Sequence, residues 1–186
     1  VPWAIPTAIT AKLWAFLFSE QGIVNSIFHA HVAWQTDPWA ARFSIILADV
    51  WKTTPFMALL ILAGLQMIPK DLYEAARMDG ANAWQRFTRI TLPLAKNSII
   101  VAVLFRMLDA LRMYDLPYIM VGPNPDSPTA TLSQLVVAAI RQDHVNAASA
   151  LSTLIFLLIF LIALCFVKSL GSKVAHQAEP VVAEEE

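Results

Sequence analysis

Long apolar stretches alternate with shorter polar segments along the chain, and their lengths are those of membrane-spanning helices. A helix needs about 20 predominantly apolar residues to cross a bilayer, and the stretches 43–65, 98–121 and 147–167 each meet this requirement. The stretch 1–18 is a weaker candidate because it contains two prolines and a lysine. Since the chain begins inside this stretch, we expect it to complete a span begun earlier, in a longer protein of which this chain is the C-terminal part.

The polar segment 66–97 predicts two short helices joined by a tight turn. Residues 72–78 favour a first helix, and Asp79-Gly80 is a stop signal because glycine readily takes the left-handed conformation that caps a helix. Residues 81–91 favour a second helix, which Pro93 is expected to end. Apolar residues recur every three positions in this second helix, so one of its faces is apolar. These apolar residues are Trp84, Phe87 and Ile90. The whole segment could be an ordinary amphipathic loop packed under its own bundle, or the apolar second helix could pack on the bundle while the small, charged first helix faces a partner.

Two further segments complete the predicted organisation. The segment 122–146 begins with several prolines and then predicts a short amphipathic helix over 132–141. The tail 171–186 ends in three glutamates and is expected to be disordered. The predicted fold class is therefore all-α: a polytopic transmembrane helical bundle over residues 1–170, with the segment 66–97 as a loop outside the membrane.

The composition supports a membrane protein and excludes several other classes. Apolar residues make up 58% of the 186 residues, charged residues make up 15%, and the mean hydropathy is +0.58. Soluble domains carry about 25% charged residues. A net charge of −1 leaves no basic surface for nucleic acid, so membrane lipid is the expected surrounding. The chain lacks the glycine-rich motifs that cradle phosphates, so any ATP that drives it must be hydrolysed by another chain.

No arrangement of residues in the sequence indicates an enzyme. The four histidines are scattered, without partners at the spacing of metal ligands, and there is no Ser-His-Asp or paired-cysteine pattern. The single cysteine, Cys165, lies in the last apolar stretch and is expected to pack there. We therefore expect no catalytic residues, no metal and no cofactor in this chain.

The distribution of lysine and arginine predicts how the chain is oriented in the membrane. The segment 66–97 holds five of these residues and the C-terminal end adds Lys168 and Lys173, whereas the two other loops hold one each, Arg42 and Arg141. Cytoplasmic loops carry an excess of lysine and arginine. Seven against two predicts that the segment 66–97 and the C-terminus face the cytoplasm.

Charged residues within the predicted spans suggest two interpretations. Each charge costs roughly 2.5–3.5 kcal/mol at the bilayer centre, and opposite charges recur here at i,i+3, where they are neighbours on a helix. One interpretation is mutual neutralisation in structural pairs, Asp49/Lys52 and Arg106/Asp109. The other is that polar side chains line a path for a substrate. The candidates for this path are Asp49, Lys52, Arg112, Tyr114, Asp115, Tyr118, Asn146 and Ser149.

A longer motif runs through the polar segment. Glu74-Ala75-Ala76, three residues, Gly80, nine residues, Ile90, one residue and Leu92-Pro93 together give the spacing E-A-A-x3-G-x9-I-x-L-P. This spacing resembles the signature of permease subunits in binding-protein-dependent ABC importers. The flanking stretches 1–25 and 92–124 resemble the carbohydrate branch of that family, the maltose and glycerol-3-phosphate type. The resemblance covers the chain to about residue 170.

The resemblance implies a fold, a location, partners and a substrate. It implies the type I ABC importer permease fold in a bacterial cytoplasmic membrane, with multiple spans. It implies a second permease subunit, two ATP-hydrolysing subunits that bind ATP and Mg, and an extracytoplasmic sugar-binding protein. The implied substrate is a sugar, such as the disaccharides trehalose or maltose. The segment 72–93 would be a coupling helix that docks on the ATPase, through Glu74, Ala75, Ala76, Arg77, Asp79, Gly80 and Ala81.

Two other classes of function remain open at this point. The chain could be an ion-coupled secondary transporter that uses the intramembrane Asp/Arg stripe as a relay. It could also be a membrane scaffold whose polar loop recruits a cytoplasmic protein. The long, fixed spacing of the motif favours the ABC importer.

Overall fold

The computed structural model describes the backbone of residues 2–29 and 31–177, and the side chains up to residue 168 except residues 1 and 30. In these residues the fold is all-α, without strands, as the sequence predicts. A 3₁₀ turn, Pro2–Ala4, precedes the first α-helix, and a π-helix, Phe87–Thr91, lies between the fifth and sixth. The α-helices are α1 (Thr7–Leu17), α2 (Ile23–Phe28), α3 (Pro38–Gln66), α4 (Lys70–Met78), α5 (Ala83–Arg86), α6 (Leu92–Leu111), α7 (Asp115–Met120), α8 (Leu132–Arg141) and α9 (Val145–Gln177).

Three helical segments of the described chain are long and apolar enough to cross a membrane: Pro38–Gln66, Ala83–Leu111 and Val145–Lys168. The first begins five residues before the predicted span 43–65, because the Asp37 carboxylate accepts hydrogen bonds from the amides of Trp39 and Ala40 and so caps the helix early.

The span predicted over 98–121 is wrong at its end, because α6 stops at Leu111 and α7 starts only at Asp115. Pro117 has no N–H to continue a helical ladder, which favours a new helix start just before it. The Thr131 hydroxyl donates to the Met113 carbonyl at 2.7 Å and satisfies a backbone acceptor in the break. The charged stripe of this span is therefore divided between two helices.

Pro93 does not end the second helix of the loop, contrary to the prediction. The chain passes from α5 through the π-helix directly into α6, with Pro93 in the first turn of α6. The Leu92 amide donates to the Phe87 carbonyl, five residues back. The wider turn therefore lies directly before Pro93, whose ring and missing N–H disturb a regular helical ladder.

The first apolar stretch forms only the 3₁₀ turn and the 11-residue α1. Between them, the Lys52 ammonium of α3 donates to the Ile5 carbonyl at 2.6 Å. That contact gives the Lys52 charge a polar partner. It also gives a hydrogen-bond donor to a backbone carbonyl at the point where the helix is interrupted.

Small residues lie where the helices cross. Ala11, Ala48 and Ala102 are fully buried, and α3 packs against α6 at Gly64, where a Cβ would overlap the Ser98 side chain. Small residues let helix backbones approach closely, which is how helices associate in lipid. A buried cluster built on Phe18, Ile45, Leu116 and Met120 then joins α1, α3 and α7.

The helix α9 continues past the predicted span 147–167 to Gln177, and so covers the first part of the tail predicted from Gly171. The remainder of that tail, 178–186, lies outside the described residues.

Candidate coupling loop and substrate path

The turn after α4 has the hydrogen bonds of a Schellman motif. The Ala81 amide donates to the Ala76 carbonyl at 2.9 Å, and the Gly80 amide donates to the Arg77 carbonyl at 3.0 Å. Gly80 has a φ of +76° and lies in the left-handed region, as the Asp79-Gly80 pair predicts. The direction in which the chain leaves α4 therefore depends on a conformation that glycine adopts without strain.

The second half of the loop is held by side chains. Asn82 and Gln85 form a capping box. The Asn82 amide donates to the Gln85 side-chain oxygen at 2.8 Å, and the Gln85 amide donates to the Asn82 side-chain oxygen at 2.9 Å. The Arg86 guanidinium donates to the Ala81 carbonyl at 2.7 Å. The hydroxyls of Tyr73 on α4 and Thr91 on the π-helix lie 3.0 Å apart and tie the two halves together.

Most of the predicted coupling residues are exposed on this loop: Glu74, Ala75, Arg77, Asp79 and Gly80, with Ala76 and Ala81 half-buried. The apolar face of the second helix packs only in part within the described residues, since Trp84 is 71% exposed and Phe87 is exposed, whereas Ile90 is half-buried. Met78, at the end of α4, is 88% exposed. The sequence pattern placed Trp84 on the apolar face and did not single out Met78, although both are large apolar residues on either side of the turn. They give the loop an apolar surface suited to a protein partner.

Of the two predicted i,i+3 pairs, Arg106/Asp109 is present and Asp49/Lys52 is not. The Arg106 guanidinium donates to Asp49 on the neighbouring helix through Nη2, and to Asp109 through Nη1 at 3.2 Å. Lys52 bonds to the Ile5 carbonyl instead of to Asp49. The Asp49 side chain is 13% exposed and Asp109 is 65% exposed, so Asp49 is the more deeply buried partner.

A polar cavity of about 160 Å³ opens beside this cluster. Five of the predicted path residues line it: Asp49, Lys52, Arg112, Tyr114 and Asp115. Tyr118 does not line it, and neither do Asn146 and Ser149, which are exposed on α9. Sequence reasoning missed Thr7 and Thr53, which also line it. Thr53 is one helical turn after Asp49, a spacing that puts both on one face of α3.

A second cavity, of about 260 Å³, lies between α7 and α8. The rings of Tyr114 and Tyr118 stack at 5.1 Å with an interplanar angle of 24°. The Arg141 guanidinium donates to the Tyr118 hydroxyl at 2.8 Å. That bond raises the pKa of Arg141, which stays protonated at any physiological pH.

Residues 1–176 match the family described as the binding-protein-dependent transport system inner membrane component. The chain belongs to this family. Its members include the permease proteins that this chain resembles by sequence.

Curated relatives of the binding-protein-dependent family carry sugar-related names. The chain is 43% identical to the trehalose/maltose transport system permease protein of Thermococcus litoralis, over 90% of this chain and 59% of that protein. It is 45% identical to the sulfoquinovosyl glycerol transport system permease protein of Agrobacterium fabrum, over 73% and 46%. It is 37% identical to the trehalose transport system permease protein of Mycobacterium tuberculosis, over 92% and 56%. The chain thus spans about half the length of these relatives.

Solved structures of the binding-protein-dependent family share the fold. A bacterial ABC transporter involved in the import of the acidic polysaccharide alginate matches with a TM-score of 0.82 at 26% identity, over 92% of this chain and 62% of that chain. A bacterial alginate ABC transporter in complex with an alginate pentasaccharide-bound periplasmic protein matches with a TM-score of 0.73 at 26% identity, over 96% and 63%. The fold is therefore that of an ABC importer permease, as the motif indicates.

Proposed function

We propose that the chain is part of a permease subunit of an ATP-driven importer for a sugar. The observation that carries the proposal is the loop of α4, the Gly80 turn and α5. It presents exposed charges and the exposed side chains of Met78 and Trp84 beyond the end of two spans, with a geometry fixed by its own caps. A loop of this shape can transmit force only if a partner protein binds to it. That partner hydrolyses ATP with Mg, since this chain has no phosphate-binding motif.

The substrate we propose is a di- or oligosaccharide, with trehalose and maltose as the first candidates. Two of the relatives are named for these sugars and both solved transporters are named for a polysaccharide. The polar cavity brings carboxylates, a guanidinium and a tyrosine into one place, and these groups pair with sugar hydroxyls. Neither the family description nor the relatives' names support the ion-coupled alternative.

The complete assembly we propose contains a second permease subunit, two ATP-hydrolysing subunits and an extracytoplasmic sugar-binding protein. Dependence on a binding protein is part of the family description, and one solved neighbour is in complex with a periplasmic protein. In this assembly the membrane bundle lies in a bacterial inner membrane, with the segment 66–97 and the C-terminus in the cytoplasm.

Reconstitution tests the proposal directly. The full-length permease, its partner subunits and its binding protein are placed in proteoliposomes with ATP inside, and uptake of labelled trehalose and maltose is measured. We expect uptake that needs ATP and binding protein and that survives an uncoupler. Uptake that persists without ATP and stops with an uncoupler would instead establish the ion-coupled transporter.

The orientation is tested by labelling. Ala83 is exposed at the start of α5, so it is a suitable site for a single cysteine. We expect Ala83→Cys to react with a membrane-impermeant maleimide in inverted vesicles and to be protected in intact cells. Asn124→Cys, in the loop on the other side of α6 and α7, is expected to show the opposite pattern. Labelling of Ala83→Cys in intact cells would contradict the orientation.

Asp115 provides a test of the polar cavity. Asp115→Asn keeps the size of the side chain and its hydrogen-bonding ability but removes the charge, so the complex is expected to assemble while sugar uptake falls several-fold. Asp126→Asn, an exposed residue outside both cavities, is the matched control and is expected to transport normally. Normal uptake by Asp115→Asn would remove Asp115 from the path.

A further inference from the structure

The cavity between α7 and α8 contains a buried donor without a partner. Gln134 is 6% exposed and lines this cavity, and its Nε2 has no hydrogen-bond partner. Its Oε1 accepts from the Thr131 amide at 3.1 Å in a capping box. This bond fixes the orientation of the side chain and leaves its NH₂ group without a partner. An unsatisfied buried polar group costs roughly 1–3 kcal/mol. A polar group that entered the cavity and reached this amide would remove that cost.

The remaining walls supply the other elements of a carbohydrate site. Tyr114 offers an aromatic surface, and Arg141 and Gln142 add donors at the rim. The Arg141 guanidinium has five N–H donors, uses one on the Tyr118 hydroxyl and lies 5.3 Å from the Tyr118 ring centre, which holds the group in place. No ion pair of Arg141 occurs among the residues that the structure describes. Its other donors are available to vicinal hydroxyl groups.

Tyr114 connects this cavity to the polar cavity. It lines both, and it lies in the break between α6 and α7, the point at which the predicted continuous span is interrupted. The two cavities are therefore neighbours that share one aromatic wall. A sugar chain passing from one to the other would contact Tyr114 on the way.

We propose that the cavity between α7 and α8 is a second saccharide subsite, in series with the polar cavity, that holds one neutral hexopyranosyl unit. The amide of Gln134 and the guanidinium of Arg141 donate to ring hydroxyls, and the Tyr114 ring contacts the apolar face of the sugar. Its volume of about 260 Å³ is just below the roughly 300 Å³ at which ligand pockets begin, which suits one ring rather than a whole oligosaccharide. The proposal rests on the sugar-importer function and extends it.

Site-directed labelling of the assembled transporter tests the subsite without the binding protein. A cysteine replaces Gln142 at the exposed rim, in a complex whose other accessible cysteines, Cys165 included, are replaced by serine. We expect saturating maltose or trehalose to slow maleimide labelling of Gln142→Cys several-fold. Asn124→Cys, an exposed position on the same side that does not line the cavity, is the control and is expected to label at the same rate with and without sugar.

The variant Gln134→Glu separates ligand contact from folding. A glutamate still accepts from the Thr131 amide in the capping box, but it has no NH₂ group to donate. We expect the complex that assembles with Gln134→Glu to lose the sugar protection at position 142, a ratio of labelling rates that does not depend on the amount assembled, and to have a KM for uptake raised several-fold. Ser133→Glu places the same charge on the neighbouring residue, outside the cavity lining, and is expected to keep the protection.

Uptake measured on the same vesicles separates the two hypotheses. If neither sugar is taken up but both still protect Gln142→Cys, the result supports the subsite and contradicts the substrate proposed for the transporter. Absence of protection overturns the subsite, whether or not uptake occurs. Retained protection in Gln134→Glu also overturns it, because the contact assigned to the amide is then not made.

Discussion

Replacing Gly80 by valine is expected to uncouple ATP hydrolysis from transport while leaving the permease inserted in the membrane. Gly80 has a φ of +76°, and a non-glycine residue in this region costs roughly 1–3 kcal/mol, with β-branched residues at the upper end. The strain is relieved by changing the angle at which the chain leaves α4. Since about 1.4 kcal/mol corresponds to tenfold in an equilibrium, we expect stimulation of the ATPase by sugar-loaded binding protein to fall about tenfold or more.

Gly80→Asn is the matched control for this experiment. No atom lies within 4 Å of a Cβ placed at Gly80, so the structure leaves room for a side chain and only the backbone conformation is at issue. Asparagine enters the left-handed region more easily than other residues that carry a Cβ. We expect Gly80→Asn to retain most of the stimulation. Full stimulation in a well-assembled Gly80→Val complex would disprove the role of the turn in coupling.

Removing Arg106 is expected to lower the amount of assembled permease strongly. Arg106 is the partner of Asp49, whose side chain is 13% exposed, and an ion left unpaired in a buried site costs roughly 3–5 kcal/mol. The permease isolated from Arg106→Ala membranes should also have a lower melting temperature. The double variant Asp49→Ala/Arg106→Ala leaves no lone charge at this site and is expected to recover much of the loss.

Asp109→Ala is the control for the ion pair, because Asp109 contacts the same guanidinium but is 65% exposed. Exposed ion pairs contribute only about 0–1 kcal/mol, so this variant is expected to assemble almost normally. If Asp109→Ala were as damaging as Arg106→Ala, or if the double variant assembled worse than Arg106→Ala alone, the Asp49–Arg106 pair would not be the structural contact.

Features set by neighbouring residues could be predicted from the sequence. The turn at Asp79-Gly80 and the helix α8 over Leu132–Arg141 both appear where local signals place them. The left-handed Gly80 depends on backbone sterics alone, and α8 depends on its capping box and its periodicity. Local chemistry was therefore enough for the Gly80 turn and for α8, but not for the passage through Pro93 or for the exposure of Trp84.

Features set by contacts across the fold could not be predicted in the same way. Asp49 and Arg106 are 57 residues apart, so spacing rules that compare i with i+3 paired each of them with a neighbour on its own helix. Pro117 marks the break after Leu111 in the sequence, but the donor that satisfies the Met113 carbonyl there comes from Thr131, 18 residues along the chain. A hydropathy pattern reports that a stretch is apolar, and it does not report that another part of the chain supplies partners for its backbone.

The close approach of Gly64 to Ser98 packs together α3 and α6, the two helices that flank the coupling loop. Gly64 lies two residues before the end of α3, and Ser98 lies near the start of α6. The two helices are therefore in contact close to the loop that joins them. The Ser98 side chain occupies the space that a side chain at position 64 would need, so α3 and α6 are tightly packed at this point. If the loop couples to an ATPase, we expect a force on it to tilt both helices together, toward the level at which Asp49 and Arg106 join them again.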